Sequence, residues 1–102
     1  MKEIQLMEID KIIHEPARLR IMMILEGLEQ ADFTFLATTL NLTRGNLNRH
    51  IEKLESASYL KVKRSFKGKV RNTSYQLTRE GSKALAQYWE NLDTIRQSGQ
   101  IE

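Results

Sequence analysis

The chain has 102 residues, a net charge of +3 and no cysteine. That length suffices for one domain (residues 1–102) with a modest core and leaves no room for a separate sensory domain, while the missing cysteines exclude disulfides, thiolate metal sites and thiol redox sensing. No apolar run approaches the ~18 residues that cross a bilayer, and Met1-Lys2-Glu3-Ile4 lacks the apolar core of a secretory signal, so a cytoplasmic protein with no membrane partner is expected.

In chain order, Leu6, Ile9 and Ile13 fall at helical spacing and predict a first helix over residues 5–13. Pro16 suits the first turn of a second helix, whose apolar stripe of Ala17, Ile21, Leu25 and Leu28 carries it to about Leu28. Asp32-Phe33-Thr34 allows at most an edge strand. Thr34 is expected to cap a brief helix with Leu36 and Leu40 on one face, stopped by a left-handed Asn41. Thr43 is a favourable N-cap for the next helix, and Leu42 and Leu47 are placed as a hydrophobic staple. Leu47, Ile51 and Leu54 form one stripe of that helix. At about 100° per residue, Gly45, Arg49, Glu52, Lys53 and Ser56 lie opposite, with Asn46 and Asn48 on the flanks.

From Leu60 the period changes to two. Leu60, Val62 and Phe66 are expected inward and Lys61, Lys63, Ser65 and Lys67 outward, with Arg64 breaking the apolar side where the strand leaves the core. A loop near Lys67–Asn72, eased by Gly68, leads to a return strand with Tyr75 and Leu77 inward. Thr78 caps a last helix to about Gln97. The predicted fold is mainly α with a small β wing: a winged helix-turn-helix, with the helix-turn-helix at about 35–57, the wing at about 60–77, the C-terminal helix at about 79–97, and dimerisation helices at both ends.

Charge follows the same division. Residues 44–71 hold nine Lys or Arg against Glu52 and Glu55, so this segment carries +7 and the rest of the chain −4. A solvated basic face is the plain reading of a charge run, but here the excess sits on the two elements that would meet a polyanion. Asn46, Asn48 and Arg49 are the candidate base readers, because Arg pairs bidentately with guanine and Asn with adenine in the major groove. Surface helices often carry such residues, yet Asn is a poor helix former and two within three positions ask for a reason. Thr43, Arg44, Gly45 and Lys53 complete the candidate DNA-binding set on this helix. Gly45 either offers a phosphate close approach to the backbone or is tolerated because it sits in the first turn. Lys63, Arg64, Lys67, Lys69 and Arg71 are the candidates on the wing, for phosphate or the minor groove.

His50, on the flank of the stripe, is expected to be structural. No carboxylate–histidine cluster at metal-ligand spacing, phosphate loop or nucleophile–base pair is present, so neither a metal, a cofactor nor an enzyme is expected. Leu85, Tyr88, Leu92 and Ile95 follow one another at spacings of 3, 4 and 3, with Trp89 and Ala84 widening the stripe. With Leu6, Ile9 and Ile13 as companions, these residues are the candidate homodimer interface, the alternative being that both helices pack within the chain.

These residues resemble the small winged-helix transcriptional regulators related to the MarR and ArsR families, and in particular stand-alone winged-helix DNA-binding domain proteins of bacteria and archaea. The resemblance rests on His14-Glu15-Pro16-Ala17-Arg18-Leu19-Arg20-Ile21, on Asp32-Phe33 through Leu36, and on Leu42-Thr43-Arg44-Gly45-Asn46-Leu47-Asn48-Arg49-His50. It continues through Leu54-Glu55, Tyr59-Leu60, Tyr75-Gln76-Leu77-Thr78 and Gly81. It implies sequence-specific binding of double-stranded DNA, usually as a dimer, and transcriptional control. Ser58 departs from the pattern, which usually has glycine there, and the cysteine motif of metal-sensing ArsR-type proteins is absent. The sequence names no effector. Two other readings stand beside this one: a winged helix used for protein contact within the transcription or replication machinery, and sequence-tolerant coating of chromosomal DNA.

Overall fold

The structure is a computed structural model that describes residues 8–99. Its elements run α1 (Pro16–Gly27), β1 (Ala31–Asp32), α2 (Phe33–Leu40), α3 (Arg44–Ser56), β2 (Leu60–Lys67), β3 (Val70–Leu77) and α4 (Arg79–Ser98). The three strands form one antiparallel sheet in the order β1-β3-β2. Ile21, Met22, Leu36, Leu47, Ile51, Leu54 and Leu85 are fully buried where the helices meet the sheet. This core holds α3 by its inner stripe.

Residues 8–13 do not form the expected helix. The Asp10 carboxylate accepts from the backbone N–H of Ile12 at 2.9 Å and of Ile13 at 3.2 Å, which turns the chain instead. The other Asp10 oxygen accepts from the Tyr59 hydroxyl, tying this segment to the residue before the wing. Helical spacing of Ile9 and Ile13 thus serves a turn that drops Ile13 into the core, while Leu6 lies outside the described residues.

α1 begins as expected at Pro16, capped by the Glu15 side chain, which accepts from Arg18 N–H at 2.8 Å. It ends at Gly27, and Leu28 is already extended (φ −117, ψ 144). Leu28 therefore turns outward and is exposed, and Met22 takes a core position the predicted stripe left out. α2 is capped by Asp32, whose Oδ1 accepts from Phe35 N–H at 2.8 Å, and not by Thr34, which lies inside the helix. Asp32 is the last paired residue of β1, directly before the helix, so its carboxylate meets the free N–H groups of the first turn. Asn41 stops the helix in the left-handed region (φ 55, ψ 50).

α3 closes on Ser58, which also lies in the left-handed region (φ 67). Ser58 N–H donates to Glu55 O at 2.8 Å and Tyr59 N–H to Leu54 O at 2.9 Å, satisfying carbonyls the helix end would otherwise orphan. The serine pays the Cβ strain that glycine avoids. β2 and β3 then pair from Leu60↔Leu77 out to Lys67↔Val70, so the expected loop shrinks to a two-residue turn, Gly68-Lys69, with Gly68 at φ 64. Phe66 is not inward. The hairpin outruns the core, and Phe66 is 67% exposed. Thr78 caps α4 by accepting from Gly81 N–H at 2.8 Å, while its hydroxyl donates to Ser58 O at 2.7 Å. The turn into the wing and the turn out of it are thereby one joint.

Candidate nucleic-acid interface

Thr43 starts α3 by accepting from Asn46 N–H at 3.1 Å. The buried Leu47, Ile51 and Leu54 then dictate the rest, because a helix fixed along one stripe must present the opposite residues to solvent. Arg44, Gly45, Asn46, Asn48, Arg49 and Lys53 are all exposed. They are not independent of one another. Arg49 Nη2 donates to Asn46 Oδ1 at 2.7 Å, one turn back, and Asn48 Nδ2 donates to Glu52 Oε2 at 3.2 Å. Each contact restrains a side chain that would otherwise sample several rotamers, which lowers the entropic cost of holding it in one geometry. The Arg44 guanidinium lies over the Phe33 ring, 4.7 Å from its centroid. That stacking aims it away from the helix axis toward the wing.

The wing is basic on both faces, and register divides the cations. Cross-strand partners share a face, so Arg64 with Thr73, and Phe66 with Arg71, extend the face that begins with Leu60, Val62, Tyr75 and Leu77. Lys63 and Lys67 point to the other face, and Lys69 lies in the turn. The structure thus brings Arg64 and Arg71 together with the leading end of α3 and leaves Lys63 and Lys67 apart from it.

Between α3 and the wing lies an open cleft of about 500 Å³. Arg44, Gly45 and Asn48 line it from the helix and Arg64, Arg71 and Tyr75 from the wing, and none of its lining residues is acidic. Burial pushes the Tyr75 phenol above its ordinary pKa, Glu55 adds to the rise, and Arg64 and Arg44 oppose it. The hydroxyl therefore stays protonated at neutral pH. A Cβ on Gly45 would meet nothing within 4 Å, so no packing in the chain demands glycine there. Gly45 is instead one of the residues that line the cleft.

His50 is half-buried behind this face. Its Nδ1 lies 3.2 Å from Arg18 Nη1 and 3.9 Å from Glu15 Oε1, and Arg18 Nε donates to Ile12 O at 2.6 Å. This cluster ties α3 to α1 and the N-terminal turn, a structural task. Phe33 and Arg18 are residues that sequence reasoning missed. Both act across long separations that no local spacing encodes.

The expected dimer residues divide as well. Ile13, Leu85 and Tyr88 are inside the chain's own core, because α4 needs that part of its stripe to close over the sheet. Tyr88 OH is 2.9 Å from His14 Nδ1, and Asn91 Nδ2 donates to Glu8 O at 3.4 Å, so the N-terminal segment lies along α4. What remains toward solvent is half-buried Ile9, Leu92 and Ile95, and Trp89 at 41% exposure, packed edge-on against Tyr88. No described helix is long and apolar enough to cross a membrane.

Comparison with known proteins agrees with this architecture. A family model described as winged helix DNA-binding domain matches residues 17–95. An uncharacterized protein of Methanocaldococcus jannaschii is 39% identical over 79 residues, covering 76% of this chain and 85% of that protein. A transcriptional regulator homologue from Pyrococcus horikoshii OT3 superposes with a TM-score of 0.79 at 27% identity, over 88% of this chain and 89% of that one. A mutant MarR of E. coli, solved in complex with operator DNA, gives 0.66 at 17% identity, over 74% of this chain and 54% of that one, and shares the fold.

Proposed function

The chain belongs to the winged-helix DNA-binding domain family and has the fold of MarR-type transcriptional regulators; from that premise we propose that it is a sequence-specific regulator of transcription that binds double-stranded DNA as a homodimer. α3 enters the major groove by its leading end, where Arg49, Asn46 and Asn48 read base edges. Arg44, Thr43 and Lys53 hold the flanking backbone, and Lys63, Arg64, Lys67, Lys69 and Arg71 of the wing grip phosphate or the adjacent minor groove. One observation carries this reading. A paired amide–guanidinium face stands on a helix locked by three buried residues, beside a cleft with three arginines and no acid. A polyanion fits that cleft, and a flat base edge fits that face.

In the dimer, Trp89, Leu92 and Ile95 of α4, with Ile9, meet their copies across a two-fold axis. Two α3 helices then address a nearly palindromic site with half-sites about one helical turn, ~34 Å, or a multiple apart.

The test is selection of duplexes from a random pool, followed by titration of the enriched and random duplexes at several stated salt concentrations. A preference of roughly a thousandfold or more is expected for a specific regulator. Equal affinity for both duplexes would assign the chain to chromosome coating, and no binding to either would leave a protein-contact module.

A further inference from the structure

At Phe66 the sheet pattern and the core disagree. It continues the inward face of β2 after Leu60, Val62 and Arg64, yet the ring is 67% exposed, and Val70 on the opposite face of the hairpin is 69% exposed. Neither side chain contributes to the core. Around them, within the same six residues, stand Lys67, Lys69 and Arg71, and Arg64 lies two residues before Phe66 on its own face. An aromatic ring that shares its face with Arg64 and Arg71, at a tip that also carries Lys67 and Lys69, is poorly matched to another protein surface, which would have to desolvate these cations. A nucleic acid offers apolar base faces and sugars inside a polyanionic shell, which matches both properties at once.

We propose that Phe66 is an apolar wedge: the wing tip enters the minor groove and presses this ring against a base step, unstacking it and bending the duplex. Arg64 and Arg71, on the same face of the hairpin and nearer the cleft, hold the phosphates that flank the wedged step. Val70, on the other face, lies against the opposite wall of the groove, as expected for a ribbon inserted edge-on. Wedging of this kind costs unstacking energy that is recovered when the bent duplex meets more protein surface. It is cheapest at flexible pyrimidine–purine steps, so the wedge adds a sequence preference at a position α3 never touches. The inference rests on the DNA-binding reading above and goes beyond the cationic grip assigned there to the wing.

The experiment uses the full chain and the best-bound duplex selected from a random pool, labelled at both ends for energy transfer, with parent, Phe66→Ala, Phe66→Leu and Lys69→Ala proteins. Phe66→Ala should lower affinity roughly tenfold, the scale of losing one base–aromatic stack. It should leave the salt dependence unchanged and abolish the bend, while Phe66→Leu retains most of both. Lys69→Ala should keep the bend and reduce the salt slope by about one unit. Because the ring is mostly exposed, Phe66→Ala should melt with the parent; a lower melting temperature would make Phe66 a folding residue and overturn the proposal. Parent-like affinity and bending by Phe66→Ala would overturn it while leaving the DNA-binding reading intact. So would a dimer that dissociates on this substitution, which would make the second copy the occupant. Failure of the parent to bind any duplex would end both.

Discussion

Gly81 and Gly45 sit near the starts of α4 and α3, and the same substitution should move stability in opposite directions at the two sites. A Cβ built on Gly81 would lie 2.3 Å from the Tyr59 carbonyl oxygen and 3.0 Å from Leu77 Cδ1. The carbonyl cannot easily withdraw. It accepts from Thr78 N–H at 3.0 Å, the Tyr59 N–H is held by Leu54 O at 2.9 Å, and the Tyr59 hydroxyl is held by Asp10. The start of α4 must therefore shift by more than half an ångström or the Thr78–Tyr59 hydrogen bond must break. Overpacking of this kind costs about 1–3 kcal/mol, and the lost hydrogen bond about 1 more. The helix preference of alanine over glycine returns up to about 1. Gly81→Ala should lose roughly 2 kcal/mol on balance, a fall in melting temperature of about 8–16 °C for a chain of this size. Gly45→Ala has open space and no clash, so it should melt with the parent or a few degrees above it, while binding DNA more weakly if phosphate backbone approaches there. Thermal unfolding by circular dichroism measures both. A Gly81→Ala protein at least as stable as the parent would refute the close approach and with it the joint between Tyr59 and α4.

Arg49→Ala should cost about 1–3 kcal/mol on the selected site and much less on random duplex, whereas Lys69→Ala should weaken both alike and lower the salt slope by about one unit. If Arg49→Ala weakens both equally, Arg49 is a phosphate contact and base reading falls to Asn46, Asn48 or Arg44. Trp89→Ala combined with Ile95→Glu should give a folded monomer by sedimentation at micromolar concentration, since both residues lie outside the core. A persistent dimer would place the interface elsewhere. Burial, then the hydrogen bond to Asp10 and its charge, push the Tyr59 phenol up to about 12 from an ordinary 10.0. The stability this contributes is complete below pH 10 and is lost as pH rises through about 12. Tyr59→Phe should be less stable than the parent at neutral pH, and the gap should narrow across that alkaline window; a gap that does not change with pH would refute the linkage.

Features held by local chemistry were readable from the sequence. Thr43, Thr78 and Asn41 cap or stop helices through groups within three or four residues of themselves, so their neighbours sufficed. The inner stripe of α3, and hence the exposure of Arg49 and Asn46, followed from period alone. Four things did not follow. Alternation gave the face on which Phe66 lies but not how far the core extends beneath it. Spacings of 3 and 4 on α4 are the same whether Leu85 and Tyr88 pack on a partner or within their own chain, and they are buried in the chain's own core. At residues 8–13 a carboxylate at Asp10 outcompeted helical pairing for two backbone donors, a choice that apolar spacing cannot reveal. The stacking of Arg44 on Phe33 depends on the angle between α2 and α3, which is a property of the assembled core.

The sheet order has a mechanical consequence. β1 pairs with β3 only at Tyr75 and Ser74, near the base of the hairpin. From Ser74 to the tip pair at Val70 the two strands continue alone, an unsupported span of ~13 Å at about 3.3 Å per residue. The wing is a cantilever, clamped at its root and free at its end, while α3 is built into the foundation. A bare two-stranded ribbon is compliant. The molecule therefore couples a stiff gauge to a springy one. On the DNA-binding reading proposed above, the helix would measure base identity against a fixed reference, and the wing would deflect to follow grooves of different width without disturbing that reading.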